Sequence, residues 1–355
     1  MELPELSLGG SLPVPSVQEM VKEPIPTVPH RYLHFDQEPP AAKGISVPAI
    51  PIIDMQKLLR GESVADELQR LHSASKEWGF FQLINHGISS SLIQEMKFEV
   101  QRFFRLPLEE KERFFQLPGD IQGYGQAFVF SEEQKLDWGD MFSLITLPTN
   151  LRKSHLFERL SPSFRETMEA YGLEMQMLAL TVLGLIAKAL GMEPEEMTSL
   201  FEDGLQSIRM SYYPPCPQPV QAIGLSPHSD AGGITILLQV NEVQGLEVRK
   251  DGKWVPIEPL QDALIVNIAD LLEIVTNGTY ESVLHRATVN SDQERLSVAT
   301  FYSPKLKAVI GPAASLISAE KPALFKKVVV EDYIKGLYSG ELKGKRLINT
   351  VKISS

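Results

Sequence analysis

The stretch 223–241, "IGLSPHSDAGGITILLQVN", sets an imidazole and a carboxylate two residues apart, at His228 and Asp230, just ahead of an apolar run from Ile234 to Val240. Successive side chains on an extended strand alternate faces, so residues i and i+2 point into one space. An imidazole and a carboxylate converging there suit a divalent metal of intermediate softness. The pair is incomplete on its own and needs a further ligand from elsewhere in the chain. His285, in "ESVLHRATVN", is the histidine that falls inside a downstream strand-like segment.

Two histidines and one carboxylate on one face, with the remaining positions open, form the donor set of non-haem Fe(II) oxygenases. Ten residues after His285, "ERLSVATFY" places Arg295 and Ser297 on a shared strand face. Their neighbours Leu296, Val298 and Ala299 are apolar, so the strand is expected to be buried. An unpaired guanidinium there would be costly. Beside a hydroxyl, it would take a carboxylate bidentately with one added hydrogen bond.

The elements that must hold these residues follow from the rest of the chain. Its 355 residues, 43% hydrophobic and 22% charged, suit one large globular domain with additions, or two domains. A formal charge of -11 argues against a nucleic-acid surface or an anionic membrane as partner. Cys216 stands alone, which suits a reducing, cytoplasmic setting. The first twenty residues have no basic start and no apolar run, so no signal peptide is read there. The apolar segment Met175–Leu190 carries Gln176, Thr181 and Lys188 and is too short to span a bilayer.

Residues 1–47 are rich in proline and acidic side chains and read as an extended, mobile arm over the body, with a short helical pattern near Val17 to Val21. A helical region with the first strands of the core follows over 48–203. "VPAIPIIDM" and "FFQLINHG" look like strands, and helices are expected over Val64–Trp78, Ser90–Phe104 and Leu108–Phe115. The clearest helix begins at Ser161, a suitable N-cap, with Pro162 first in the helix and Gly191 at its stop. From Phe164 to Ala189 apolar residues recur every three or four positions, one core-facing stripe. Residues 204–305 are short strands and turns, including the Asp251-Gly252 hairpin, and imply a sandwich or jelly roll. Residues 306–355 end the chain with a helix from Glu331 to Tyr338. The fold class is α+β. The other histidines, His30, His34, His72, His86 and His155, have no partner at metal spacing and read as surface or spacing accidents. Asp270 and Glu273 read as an N-cap and a turn residue.

Taken together, "RMSYYPPCPQP", "GLSPHSD", "NIADLLEIVTNG", "SVLHRATVN" and "ERLSVATF" resemble the plant 2-oxoglutarate- and Fe(II)-dependent dioxygenases. "IPIIDM", "EWGFFQLINHG" and "GYGQAF" match that family's N-terminal region in the same order, and the details look most like the subgroup of senescence-related proteins and alkaloid O-demethylases. The resemblance implies a double-stranded β-helix, or jelly-roll, core. It makes His228, Asp230 and His285 the iron ligands. Arg295, Ser297 and Tyr213 would hold the 2-oxoglutarate cosubstrate, with Ser211 beside it where the family usually has Asn. Ala269 stands where the family usually has Gly. Met141, Ser143, Arg209, Phe301 and Ser303 would face the substrate.

The implied reaction consumes 2-oxoglutarate and O2, with ascorbate as reductant, and releases succinate and CO2. It would hydroxylate, demethylate or desaturate a small, mostly apolar metabolite such as an alkaloid, flavonoid, coumarin or terpenoid. A monomer with no nucleic-acid or membrane partner is expected. The rival readings are an ascorbate-dependent oxidase of the same scaffold that does not use 2-oxoglutarate, and a non-catalytic small-molecule binder.

Overall fold

Alternating apolar residues in the second half pair into sheets, and the first half supplies strands to the same sheets. The structure is a computed structural model that describes residues 10–40, 49–60, 63–117, 119–340, 342 and 344–353. Four strands precede residue 204: β1 (Ile52–Asp54), β2 (Phe80–Ile84), β3 (Gly123–Gly125) and β4 (Asp140–Leu147). Then come β5 (Leu205–Tyr213), β6 (Leu225–His228), β7 (Ile234–Gln239), β8 (Leu246–Lys250), β9 (Lys253–Pro256), β10 (Leu264–Ile268), β11 (His285–Ala287) and β12 (Arg295–Ser303).

Among the described residues, β1-β2-β10-β7-β12-β5-β4-β3 form one eight-stranded sheet and β6-β11-β8-β9 a four-stranded one. These two sheets are the halves of a jelly roll. The border expected between 203 and 204 runs through the larger sheet, because β4 pairs antiparallel with β5. Several strands are shorter than their apolar runs: the segment from Ala49 pairs only from Ile52, and "VLHRATV" only over His285–Ala287.

The helices pack outside the larger sheet. Helices Val64–Glu77, Ser90–Phe104 and Pro162–Ala189 fall where the periodicity puts them. Ser161 Oγ accepts the amide of Phe164, and the last helix stops before Gly191, which has φ +72°. That helix is long and apolar enough to cross a bilayer, more so than the segment Met175–Leu190 alone. Its stripe is spent on the core instead: Phe164, Met168, Tyr171, Met175 and Val182 are all buried against neighbouring helices and the sheet. Truncating one of these to Ala would cost about 2–5 kcal/mol.

The described part of the arm is docked, not loose; residues 1–9 and 41–48 lie outside the described residues. Helix Val17–Met20 presents its first amides to Asp140, whose carboxylate accepts Val17 N and Gln18 N at 2.9 Å each and Ser16 Oγ at 2.7 Å. Further along, the Arg286 guanidinium donates to the carbonyls of Glu38 and Pro39. The helix expected from Glu331 runs over Val330–Leu337, and a further helix, Arg346–Val351, follows it.

Candidate functional site

His228 ends β6 and His285 begins β11, and the antiparallel register sets them directly opposite each other. Asp230 lies just past the end of β6, ahead of a bend through Ala231–Gly233, and its carboxylate shares the space of the two imidazoles. Three amides fix that bend. Asp270 N donates to Asp230 O, Leu271 N to Gly232 O and Ala269 N to Gly233 O, at 2.8–3.0 Å. Gly233 has to be glycine, since a Cβ there would sit 2.1 Å from Phe201 Cε1.

The result is a buried cluster of His228, Asp230 and His285 with ligand atoms within 4.8 Å of one another. Asp230 Oδ1 lies 3.5 Å from His228 Nε2 and 3.7 Å from His285 Nε2. Each ring turns Nδ1 to a carbonyl, His228 to Ser226 O at 2.8 Å and His285 to Val283 O at 3.2 Å. A carbonyl only accepts, so the hydrogen sits on Nδ1 and the Nε2 lone pair faces the cluster. His228 Nε2 is buried with no hydrogen-bond partner. The outer carboxylate oxygen, Asp230 Oδ2, accepts Thr235 Oγ1 at 2.7 Å and Asn267 Nδ2 at 2.8 Å, leaving Oδ1 for the cluster. Burial, helped by His228 alongside, pushes His285 down to about 4, so it is neutral at physiological pH. Burial works to raise Asp230, but the two imidazoles and Asn267 hold it well below the usual carboxylate range. Two imidazoles and a carboxylate, converging with His228 Nε2 left without a partner, fit a divalent iron.

Two cavities meet at this cluster. One lies between the sheets and is lined by Ser211, Tyr213, Asp230, His285, Arg295 and Ser297. Arg295 is 2% exposed, and no carboxylate pairs with it among the described residues. Its Nη2 donates to Gln239 Oε1 at 2.6 Å, its Nε has no partner, and the guanidinium lies 5.4 Å from the Tyr213 ring centroid. A Cβ on Gly245 would meet Arg295 Cδ at 2.6 Å, so glycine lets the chain close over that side chain. Ser297 lies between Ser211 and Gln239 in the strand register.

The second cavity, about 860 Å³ with its open mouth, is lined by Ser143, Arg209, His228, Asp230, Phe301 and Ser303 together with apolar side chains. Arg209 stacks 5.0 Å over Phe301 and has a buried, unpartnered Nε. Met141 does not line it; it is buried beside Ser211 on the neighbouring strand. Ala269 has φ -114°, so the family's glycine is not needed there for its conformational freedom.

Other readings change. Asp270 is not an N-cap; it is the first residue of helix Asp270–Val275 and accepts the Tyr333 hydroxyl at 2.9 Å. Glu273 binds Ser282 N and Lys345 Nζ. His34 and His72 are half-buried and bonded, to Leu136 O and to Tyr280 and Ala189 respectively. Thr235, Gln239 and Asn267 escaped notice in the sequence. Their signal was present, as polar residues inside otherwise apolar strands, where burial demands a partner. Phe128, Tyr338 and Leu342, which line the larger cavity, gave no such signal because tertiary packing alone brings them there.

Comparison with known proteins agrees with this geometry. Residues 204–304 match the family described as 2OG-Fe(II) oxygenase superfamily, and residues 50–163 match the family described as non-haem dioxygenase in morphine synthesis N-terminal. The chain is 56% identical over 350 residues to oxoglutarate-dependent flavonoid 7-O-demethylase 1 of Ocimum basilicum, covering 98% of this chain and 94% of that one. It is 49% identical to codeine O-demethylase of Papaver somniferum over 99% of this chain and 100% of that one. Its fold is similar to the crystal structure of JOX2 in complex with 2OG, Fe and JA, with a TM-score of 0.88 at 34% identity, covering 97% of this chain and 99% of that one.

Proposed function

The chain belongs to the 2OG-Fe(II) oxygenase superfamily and is a 2-oxoglutarate- and iron-dependent dioxygenase of its plant subgroup, and on that premise we propose that it removes O-linked methyl groups from a bulky, mostly apolar metabolite. The observation that carries the proposal is the junction of the two cavities: Asp230, Arg209 and Phe301 line both. Cosubstrate in one and substrate in the other would therefore meet at the metal.

In this reading His228 Nε2, Asp230 Oδ1 and His285 Nε2 hold iron. Bound there, iron with 2-oxoglutarate and O2 supplies the oxidising power for a C–H bond. The residues do the binding and orienting. Arg295 and Ser297 take the distal carboxylate of 2-oxoglutarate, which gives the unpaired guanidinium its anion. Tyr213 flanks that guanidinium, and Ser211 leaves a small polar wall beside it. Ser143, Ser303 and Arg209 meet oxygen functions of the substrate. Leu144, Ile145, Ile208, Phe301 and Leu337 grip its rings and keep water out. The balance is R–O–CH3 + 2-oxoglutarate + O2 → R–OH + formaldehyde + succinate + CO2.

Methoxylated flavonoids come first in the substrate class and methoxylated alkaloids second, in line with the names of the relatives above. The enzyme works as a monomer in the cytoplasm, where ascorbate keeps the iron reduced; the lone, buried Cys216 and the net charge of -11 support that setting. The test is a panel of O-methylated flavonoids, alkaloids, coumarins and terpenoids with purified protein, Fe(II), 2-oxoglutarate and ascorbate. Formaldehyde and succinate released together by a methoxylated compound support the reading. Succinate released with a hydroxylated or desaturated product and no formaldehyde would replace it by one of those outcomes.

A further inference from the structure

The segment "DWGD", 137–140, leads into and opens the strand that carries Ser143 to the substrate cavity, yet its own residues make their contacts elsewhere. Each one ties a different part of the molecule to the site. Asp140 holds the N-terminal arm. Gly139 lets the chain pass against Tyr213, where a Cβ would lie 2.8 Å from the ring. Trp138 N donates to Ile223 O at 2.6 Å, at the entrance to β6. The closest tie is at Asp137.

Asp137 Oδ1 accepts Ser226 Oγ at 2.6 Å, and Oδ2 accepts Ser226 N at 3.1 Å. Both donors belong to one residue, so the carboxylate grips Ser226 by side chain and backbone at once. The carbonyl of that same Ser226 accepts Nδ1 of His228. The chain of contacts is therefore carboxylate, serine, imidazole, with Nε2 at its far end facing the cluster. On its other side the Pro227 carbonyl accepts Gly344 N at 2.8 Å, so the backbone leading into His228 is held from two directions.

We infer that Asp137 is a positioning residue for the metal centre: by clamping Ser226 it fixes the carbonyl that sets the tautomer and ring angle of His228. The inference rests on the reading of His228 as an iron ligand. Losing such an outer partner lowers metal affinity by about 10–100-fold in metalloproteins. Here the effect passes through a peptide carbonyl, and the Gly344 N–Pro227 O bond still restrains the adjoining backbone when Asp137 is lost, so the lower half of that range is expected.

The experiment is a Co(II) titration of the metal-free full-length protein, read by affinity and by the visible absorption band of the bound ion. Asp137→Ala should bind Co(II) about 10-fold or more weakly and shift the band, because the carbonyl that orients the His228 ring loses its clamp. Asp137→Asn keeps an acceptor for Ser226 N and can donate its amide to Ser226 Oγ, so it should stay closer to the wild type. Ser16→Ala loosens the arm on Asp140 without touching Ser226, and should lower thermal stability while leaving the Co(II) affinity and band unchanged. A folded Asp137→Ala protein with wild-type affinity and band would overturn the inference. Equal Co(II) binding by the wild type and His228→Ala would instead overturn the ligand reading on which it rests.

Discussion

His228 and His285 stand opposite each other across the β6–β11 pair, with ring centroids 4.2 Å apart, and each donates Nδ1–H to the carbonyl two residues upstream. The same local device occurs on two strands that are separated by more than fifty positions in sequence. It leaves both Nε2 lone pairs free on the side where Asp230 enters. A strand pair gives this geometry cheaply, since the register that pairs the backbones also aligns the rings.

Removing either imidazole breaks that arrangement. His228→Ala and His285→Ala should each lower succinate formation by at least about 100-fold, exceeding the loss of an outer hydrogen-bond partner. Chelator treatment of the wild type should abolish turnover, and added Fe(II) should restore it. Turnover assays on the two variants, with the fold checked by circular dichroism, decide this.

Arg295 is buried without an anion, so the protein without cosubstrate carries the cost of an unpaired charge. Arg295→Met should keep or raise the melting temperature in the absence of 2-oxoglutarate. It should also raise the KM for 2-oxoglutarate by about 30-fold or more, the loss of a charge-assisted pair worth at least about 2 kcal/mol. The stabilisation that 2-oxoglutarate gives the wild type should vanish. A variant that still gains stability from 2-oxoglutarate would place the anchor elsewhere.

Arg209 is the second guanidinium with an unpartnered Nε, and it faces the larger cavity. Arg209→Leu should lower kcat/KM about 10-fold or more for substrates with an acidic or strongly polar oxygen, and change little for those without one. The KM for 2-oxoglutarate should remain near the wild-type value. A uniform loss across all substrates would argue for packing on Phe301 instead.

Asp270 gives a pH dependence. Burial raises it to about 6, against 3.8 for an ordinary aspartate. Between those values the folded protein holds a proton that the unfolded chain has lost. Stability therefore falls as pH rises through that window, and the loss is complete above about pH 6, at up to roughly 3 kcal/mol. Asp270→Asn cannot ionise and can still accept the Tyr333 hydroxyl. It should raise the melting temperature at pH 8 and change it little at pH 4.5, as thermal denaturation at the two pH values would reveal.

How much of this was legible in the sequence depends on the range of the interaction. The helix Pro162–Ala189 was legible to its caps, because Ser161, Pro162 and Gly191 act locally. The triad was legible because a metal demands few residue types at fixed spacing, and His228 and Asp230 do share one space although Asp230 lies just beyond the strand. The larger sheet was harder to read. Strands β1 to β4 come from a stretch dominated by helices, and nothing local says that β4 pairs with β5. The docking of the arm on Asp140 and the clamp of Asp137 on Ser226 join residues about 90 or more positions apart, with no periodic pattern to mark them. Met141 was misplaced for a related reason: alternation gives the face of a strand but not where a cavity stops along it.

The most direct test of the central claim is an anaerobic crystal structure with Fe(II) and 2-oxoglutarate. The account predicts metal density bound by His228 Nε2, Asp230 Oδ1 and His285 Nε2, with the distal carboxylate of 2-oxoglutarate on Arg295 and Ser297. The larger cavity beside Arg209 should stay open for substrate. Metal outside the triad, or a cosubstrate carboxylate paired with Arg209 in place of Arg295, would contradict it.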